Sequence, residues 1–179
     1  NPYCLSSKLF EVTKQALIKR KYIYSKGTPI DCMLDPEGNV FDASQIIDYM
    51  PMFKKLNGGK DLSELDEPLR RKESRNIFHK INIDLQKKQL ANQYVKLNII
   101  HNMCNVLSTS IFIVFLLSAT FEIDLLISQN YFLMIDSILY TILLLGLSIL
   151  LQYRSKKYFV YWVRNMVRAY YGMYISGQQ

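Results

Sequence analysis

A window from Asn105 to Tyr153 contains no Lys, Arg or His, although the chain has 22 Lys and Arg residues among 179. The acids Glu122, Asp124 and Asp136 are the charged residues inside it. A soluble domain interleaves charged side chains along each amphipathic helix, because one face of the helix meets water. A window this long without cations therefore favours a membrane environment. The alternative is two buried helices of a soluble core, which the remaining residues are too few to wrap.

The window divides into two apolar spans, at about residues 103–121 and 131–152, within a segment that runs from 99 to 153. Each span is close to the ~20 residues that an α-helix needs to cross a ~30 Å hydrocarbon core. Lipid offers the backbone no hydrogen-bond partners, so each span must satisfy its own amide groups as a helix. The sequence therefore predicts a mainly α membrane protein built on a two-helix transmembrane hairpin.

Charged residues outside the spans indicate how the hairpin is oriented. The connection between the spans, EIDLLISQN at residues 122–130, carries acids and no cation. Because Lys and Arg concentrate on the inner side of a membrane, both termini are expected on the cytoplasmic or mitochondrial-matrix side. The basic residues on the two flanks include Lys54, Lys55, Arg70, Arg71, Lys72, Arg75, Lys80, Lys87, Lys88 and Lys96 before the spans, and Arg154, Lys156, Lys157, Arg164 and Arg168 after them.

A carboxylate inside the spans has two interpretations, a functional one and an interfacial one. Carboxylates within a membrane often mark a proton or ion path. Asp136, however, lies only ~7 Å into the second span by helix rise, and no cation in either span pairs with it. An interfacial position is therefore favoured. Small residues are expected to allow close approach of the two helices: Ser108, Ser110, Ser118, Ala119, Thr120, Ser137, Thr141, Gly146 and Ser148.

The segment 154–179 has the pattern of an amphipathic helix. Its cations fall on one helical stripe and its large apolar residues fall on the opposite one, and six of the 13 Tyr residues lie between Tyr153 and Tyr174. Aromatic and basic residues on one helix are typical of a segment that lies on a membrane surface. The same residue types are favoured where a helix docks on a protein neighbour. The residues expected at this membrane surface or interface are Trp162, Tyr158, Tyr170, Arg164 and Arg168.

Residues 58–98 are predicted to form a long charged stalk helix that continues into the first span. Asp66 and Glu67 followed by Pro68 are typical of a first helical turn, where acids and proline are favoured. The net charge of +7 raises the question of nucleic acid. A basic run beside a membrane is already explained by topology and by anionic lipid, so no nucleic-acid partner is expected.

Residues 1–57 are predicted to form a small α/β domain. The order is a helix at 5–21, a strand at 22–24, a strand at 30–34, a tight turn at 35–39 and a returning strand at 40–41. Asp42 and Gln45 then have capping-box spacing and open a helix, which Pro51 is expected to end or kink.

That order resembles the thioredoxin-fold domain of glutaredoxins and of the N-terminal half of glutathione transferases. Asn1-Pro2-Tyr3-Cys4 is similar to the family's Cys-Pro-Tyr/Phe-Cys site, and Thr28-Pro29 stands where the family has its cis-proline. The run LDPEGNVFDASQIIDYM is similar to the family's hairpin and capped helix, and its continuation to residue 57 resembles the prostaglandin E synthase type 2-like branch. The resemblance implies a glutathione site with Cys4 as its thiol and with Pro29 and Asp42 contacting glutathione.

The departures from that pattern indicate lost chemistry. The nucleophilic cysteine of the family is replaced by Asn1, and the serine that follows its acidic residue is replaced by Ala43. The stretch between Tyr24 and Thr28 is too short for the family's second helix. Elsewhere the three Cys and two His residues have no metal-ligand spacing. We therefore expect a truncated thioredoxin-like domain that is not catalytic, with no metal and no cofactor.

The sequence as a whole predicts a non-catalytic accessory subunit of a multi-subunit membrane complex. An Asn at the first position is consistent either with a removed mitochondrial presequence or with a disordered start that the sequence leaves out. A location of both termini on the inner side suits the mitochondrial inner membrane. Its expected partners are membrane lipids and other subunits of the respiratory chain or ATP synthase. Two alternatives remain open: a membrane-anchored glutathione-dependent thiol enzyme that uses Cys4, and a small oligomeric two-helix pore or effector.

Overall fold

The structure is a computed structural model that describes residues 27–35, 40–60, 62, 65–128 and 131–177, without the side chains of 93, 126 and 131–136. The described residues form two compact units. The hairpin unit comprises residues 101–156, and the helical unit comprises residues 27–100 and 157–177. The predicted helix at 5–21, the predicted strand at 22–24 and residues 36–39 of the turn predicted at 35–39 lie outside the described residues.

The described residues form four helices: α1 (Ala43–Leu56), α2 (Glu67–Lys87), α3 (Asn92–Ile127) and α4 (Tyr131–Ser176). The last two each contribute to both units. No strand occurs in the part of the chain that the structure describes. The prediction of a mainly α protein is therefore confirmed, and the thioredoxin-like α/β domain is not shown.

The strands predicted at 30–34 and 40–41 are wrong. Residues 29–34 form consecutive turns, in which Cys32 N donates to Thr28 O at 3.1 Å and Met33 N donates to Ile30 O at 3.2 Å. The Asp31 carboxylate accepts from Thr28 N at 3.0 Å and from Thr28 Oγ1 at 2.8 Å. This side-chain capping offers the backbone a local alternative to a sheet ladder, which overrides the apolar pattern.

α1 begins at the predicted cap but does not end at Pro51. Gln45 Oε1 accepts a hydrogen bond from Asp42 N at 3.4 Å, which is the capping-box contact that the spacing predicted. Pro51 lies inside the helix, which continues to Leu56. Proline frees the carbonyl one turn earlier, that of Ile47. Both Ile47 and Pro51 are exposed, so the break in the hydrogen-bond ladder falls on the solvent side of α1.

α2 begins where its acidic first turn predicted. Asp66 is the N-cap and accepts from Leu69 N at 3.3 Å, and Pro68 occupies the first turn. The expected stalk helix is not continuous, however, because α2 ends at Lys87 and α3 begins at Asn92.

The break between α2 and α3 is a Schellman motif. Gln89 has a φ of 58°, its N–H donates to Gln86 O at 2.9 Å, and Leu90 N donates to Leu85 O at 2.9 Å. The side chains of Leu85 and Leu90 pack in the same core, which is the apolar contact that accompanies this motif. The sequence concealed this end because a glutamine, and not the usual glycine, occupies the left-handed position.

The core of the helical unit is formed mainly by α1, α2 and α4 with residues 32–34 and 40–41, and α3 contributes the partly buried Tyr94. The segment 157–177 of α4 supplies the apolar stripe that the sequence predicted, and this stripe is buried within the helical unit itself. Tyr171 packs edge-on against Tyr49 with ring centroids 4.7 Å apart. The residues that are 1% exposed or less include Met33, Val40, Phe41, Met52, Phe53, Ile77, Ile81, Leu85, Val163, Met166 and Val167.

Candidate functional site: the membrane hairpin

Two helices are long and apolar enough to span a membrane, at Tyr94–Leu125 and Ser137–Ser176. Their most apolar windows are only 11% and 22% buried, respectively. The core helices of a soluble protein of this size would be mostly buried, so these exposures favour a lipid environment. α4 has 46 residues, or ~70 Å of helix. Since a hydrocarbon core is ~30 Å thick, only part of α4 can span it.

The exposed surface of the hairpin unit is made largely of aliphatic and aromatic side chains. Such a surface would be unfavourable in water, because each large apolar side chain left exposed forfeits ~1.5–3 kcal/mol of burial. In hydrocarbon the same surface is fully compatible with its solvent. These side chains include Val106, Leu107, Ile113, Val114, Leu116, Leu117, Phe121, Leu139, Ile142, Leu143, Leu147 and Leu150.

A reciprocal pair of serines holds the two helices of the hairpin together. Ser108 Oγ donates to Ser148 O at 2.8 Å, and Ser148 Oγ donates to Ser108 O at 2.9 Å. Both residues are fully buried at 0% exposure. A small side chain lets the backbones approach, and its hydroxyl finds a partner in a place where lipid offers none. Ser108 and Ser148 are two of the nine small residues that were predicted to allow this close approach.

A second polar layer lies at the open end of the hairpin, where the chain enters α3 of the hairpin unit near residue 101 and leaves α4 near residue 156. Ser155 Oγ lies 2.8 Å from His101 Nδ1 and donates to His101 O at 3.1 Å, and Ser155 is fully buried. His101 precedes Ser108 by seven residues, and Ser155 follows Ser148 by seven residues. A seven-residue repeat on both antiparallel helices is the spacing of coiled-coil packing.

The next step of that repeat falls on two buried residues, one aromatic and the other a threonine. Phe115 and Thr141, seven residues further along α3 and seven residues earlier in α4, are 3% and 6% exposed. Phe115 packs with Leu144 and Leu145 in the core cluster of the hairpin unit. The same register therefore continues through the spans. The hydrogen-bonded pairs are followed by packing of apolar side chains around Phe115, and the buried Thr141 hydroxyl has no hydrogen-bond partner among the described residues.

Acidic residues lie toward the closed end of the hairpin. Ser137 Oγ donates to Glu122 Oε1 at 3.4 Å, and Asp124 is exposed. Asp136 lies within α4, but its side chain is outside the described set, so its interfacial position stays a prediction. α3 itself continues to Ile127, which shortens the connection that the sequence placed at 122–130.

Three of the five residues expected at a membrane or partner surface contact their own chain. The Trp162 ring packs edge-on against Phe78 with centroids 5.2 Å apart, Arg164 Nε donates to Val40 O, and Tyr170 Oη donates to Asp84 at 3.2 Å. Tyr158 is half-buried, and Arg168 is exposed. Their contact with lipid or with a partner stays a prediction, since these intramolecular contacts already occupy part of the surface.

The glutathione site that the resemblance implies stays a prediction. Cys4 lies outside the described residues. The Thr28–Pro29 peptide is trans, Pro29 is buried in a turn, and Asp42 is the exposed cap of α1. No group of three or more His, Cys, Asp and Glu side chains with metal-binding geometry occurs among the residues that the structure describes.

A buried carboxylate that the sequence did not single out ties the first turn to α2. Asp31 is 5% exposed and accepts hydrogen bonds from Thr28 and from Arg75 Nε. Burial raises the pKa of Asp31, but the bonds from Arg75 and Thr28 and the charge of Arg75 outweigh it, so the pKa lies below the ordinary 3.8. The signal is a Thr-x-x-Asp local turn, which sequence reasoning read as a strand.

No protein-family model, curated protein or solved structure matches this chain. What the protein does is therefore inferred from its own residues.

Proposed function

We propose that this protein is a non-catalytic accessory subunit of a multi-subunit membrane complex, anchored by the hairpin unit. One observation carries the proposal: the hairpin unit turns its serine and histidine contacts inward and exposes aliphatic side chains over the surface of both helices. That arrangement is stable in hydrocarbon and needs no second function for its polar residues.

The helical unit supports a role in assembly. It has its own apolar core, made from segments on both sides of the hairpin, so the chain enters and leaves the hairpin from one folded unit. With both termini on the side rich in Lys and Arg, this unit would face the matrix if the membrane is the mitochondrial inner membrane. The respiratory chain and ATP synthase are the complexes we propose as hosts.

The experiment is extraction of the native membrane in mild detergent, followed by blue-native electrophoresis and mass spectrometry of every band that contains the chain. We expect comigration with respiratory-chain or ATP synthase subunits at several hundred kilodaltons. A band that contains this chain alone would overturn the proposal.

A matched pair of variants tests whether the hairpin carries the assembly. Ser108→Leu places a bulky side chain at a fully buried helix contact, whereas Ser110→Leu makes the same change at an exposed position. We expect the first variant to leave the large complex and the second to remain in it. Equal retention of both would mean that the packed hairpin does not mediate incorporation.

A further inference from the structure

A groove of about 460 Å³ lies in the helical unit, where the C-terminal ends of α1, α2 and α4 come together. Its volume is within the ~300–1,000 Å³ that is usual for small-molecule sites. The groove is separate from the hairpin contacts on which the proposed function rests. Its lining combines three features that together indicate a class of ligand.

The first feature is positive charge. Lys55 at the end of α1 and Lys87 and Lys88 at the end of α2 line the groove, and Asp84 is the single carboxylate among its described lining residues. Neither Lys87 nor Lys88 has an ion-pair partner within the described part of the chain. Both lysines are exposed, so a ligand with several anionic oxygens could replace the water on their ammonium groups with charge-assisted hydrogen bonds.

The second feature is a wall of two tyrosines. Tyr170 Oη donates to Asp84 Oδ2 at 3.2 Å, which gives the single carboxylate a donor from the protein itself. Lys55 Nζ lies 5.2 Å from the centre of the Tyr174 ring, within range of a cation–π contact. These contacts hold the carboxylate and one ammonium group in place.

The third feature is an apolar floor. Met52, Leu56 and Met173 line the groove together with the charged residues; Met52 is fully buried, and Leu56 and Met173 are half-buried. A purely ionic ligand would leave the half-buried Leu56 and Met173 side chains in contact with water. An apolar chain attached to the anion would cover them and gain free energy in proportion to the area removed from water.

The lysines also have a simpler role. Cations in the last turn of a helix stabilise its C-terminus by complementing the partial negative charge there. That role needs neither an apolar floor nor a concave site, and it is fulfilled equally well by lysines that point into bulk water. From the charge, the tyrosine wall and the floor together, we propose that the groove binds a phosphate ester that carries an apolar chain.

The test uses the full chain in phosphatidylcholine nanodiscs, titrated by calorimetry with dihexanoyl phosphatidic acid. Dihexanoyl phosphatidylcholine and glycerol 3-phosphate are the matched probes that remove, respectively, the net charge and the chain. Empty nanodiscs measure simple partitioning. We expect each matched probe to bind at least about tenfold more weakly, because each loses one of the two interactions. Equal binding of the three probes, or binding no greater than to empty nanodiscs, would overturn the proposal.

Two double variants locate the binding. Lys87→Gln with Lys88→Gln removes two charges from the groove, whereas Lys72→Gln with Lys96→Gln removes two charges from exposed helix positions outside it. We expect the first to weaken phosphatidic acid binding by about tenfold or more and the second to change it by less than about twofold. Equal losses in both would mean that the protein's overall charge, and not the groove, attracts the probe.

A final arm identifies the source of the ligand. With phosphatidic acid built into the nanodisc bilayer, a groove that fills from the membrane will show weaker apparent binding of the added short-chain probe. A groove supplied from solution will bind the probe as before. A failure of the groove to bind the phosphatidic acid probe would leave the membrane-complex proposal standing, because that proposal is tested by comigration and not by lipid binding.

Discussion

The serine pair in the hairpin gives the most quantitative prediction. Ser108→Ala removes the bond from Ser108 Oγ to Ser148 O, and Ser148→Ala removes the reciprocal bond, while both backbone carbonyls remain. Interhelical hydrogen bonds in a bilayer contribute ~0.6 kcal/mol on average and ~1.7 kcal/mol at most. We therefore expect each alanine variant to lose about 0.6 kcal/mol of unfolding free energy and the double variant about 1.2 kcal/mol.

A larger side chain at the same position gives a larger effect. Ser108 is fully buried at the helix contact, so Ser108→Leu overpacks it and should cost about 1–3 kcal/mol. The matched variants Ser110→Ala and Ser110→Leu, at an exposed position, should each change stability by less than about 0.5 kcal/mol. The assay is reversible unfolding of the full chain in mixed micelles, followed by circular dichroism. Equal losses at residues 108 and 110 would refute the inferred helix register.

Three further predictions concern the helical unit. Gln89→Gly should raise the free energy of unfolding by about 0.5–1 kcal/mol, because glycine adopts the left-handed conformation at residue 89 without a Cβ clash. If chemical denaturation showed a lower free energy of unfolding, the Schellman motif would be contradicted. The lowered pKa of Asp31 means that its stabilising contribution is present above pH 3.8 and is lost as the pH falls below that value toward the folded-state pKa. Asp31→Asn should therefore weaken the dependence of the unfolding free energy on pH in acid, whereas Asp48→Asn, at an exposed position, should leave that dependence in place. In thermal denaturation, Val167→Asp should destabilise the helical unit by several kcal/mol, because it buries an unpaired charge, whereas Arg168→Asp at the exposed neighbouring position should destabilise it far less. Equal losses of stability would mean that the apolar stripe of α4 is not in the core.

The hairpin could be predicted from sequence because its signal is one of composition. The absence of Lys, Arg and His between Asn105 and Tyr153 is visible without any knowledge of packing. The register between the helices was less accessible. Small residues alone suggested Ser110 and Gly146 equally with Ser108, and the structure shows that the first two are exposed. The seven-residue spacing of the polar pairs distinguishes Ser108 from Ser110 and Gly146, but this spacing is recognisable only once both helices are aligned.

The predictions that failed did so where local chemistry competes with apolar pattern. Residues 30–34 look like a strand, yet the Asp31 side chain bonds back to Thr28 and produces turns. The end of α2 was hidden because Gln89, and not a glycine, takes the positive φ. Pro51 was expected to end or kink α1. The helix does not end there, because the exposed position of Pro51 makes the lost hydrogen bond tolerable.

The amphipathic segment after the hairpin illustrates a different limit. The sequence correctly predicted an apolar stripe on this segment, which includes Val163, Met166 and Val167. Periodicity alone, however, does not predict what covers an apolar face. Membrane, partner and the chain's own core all satisfy the same pattern. The structure shows that the helical unit covers the stripe itself. The groove was also invisible in sequence, because its lysines and tyrosines come from three separate helices.

The most direct test of the central claim is labelling with a membrane-impermeant maleimide in sealed vesicles. In a background with Cys4, Cys32 and Cys104 replaced by Ser, one variant carries Ser128→Cys beyond the end of α3 and another carries Lys72→Cys in the helical unit. The hairpin predicts that the two cysteines are labelled from opposite sides of the membrane. Labelling of both from the same side, or release of the chain from the membrane by alkaline carbonate, would contradict it.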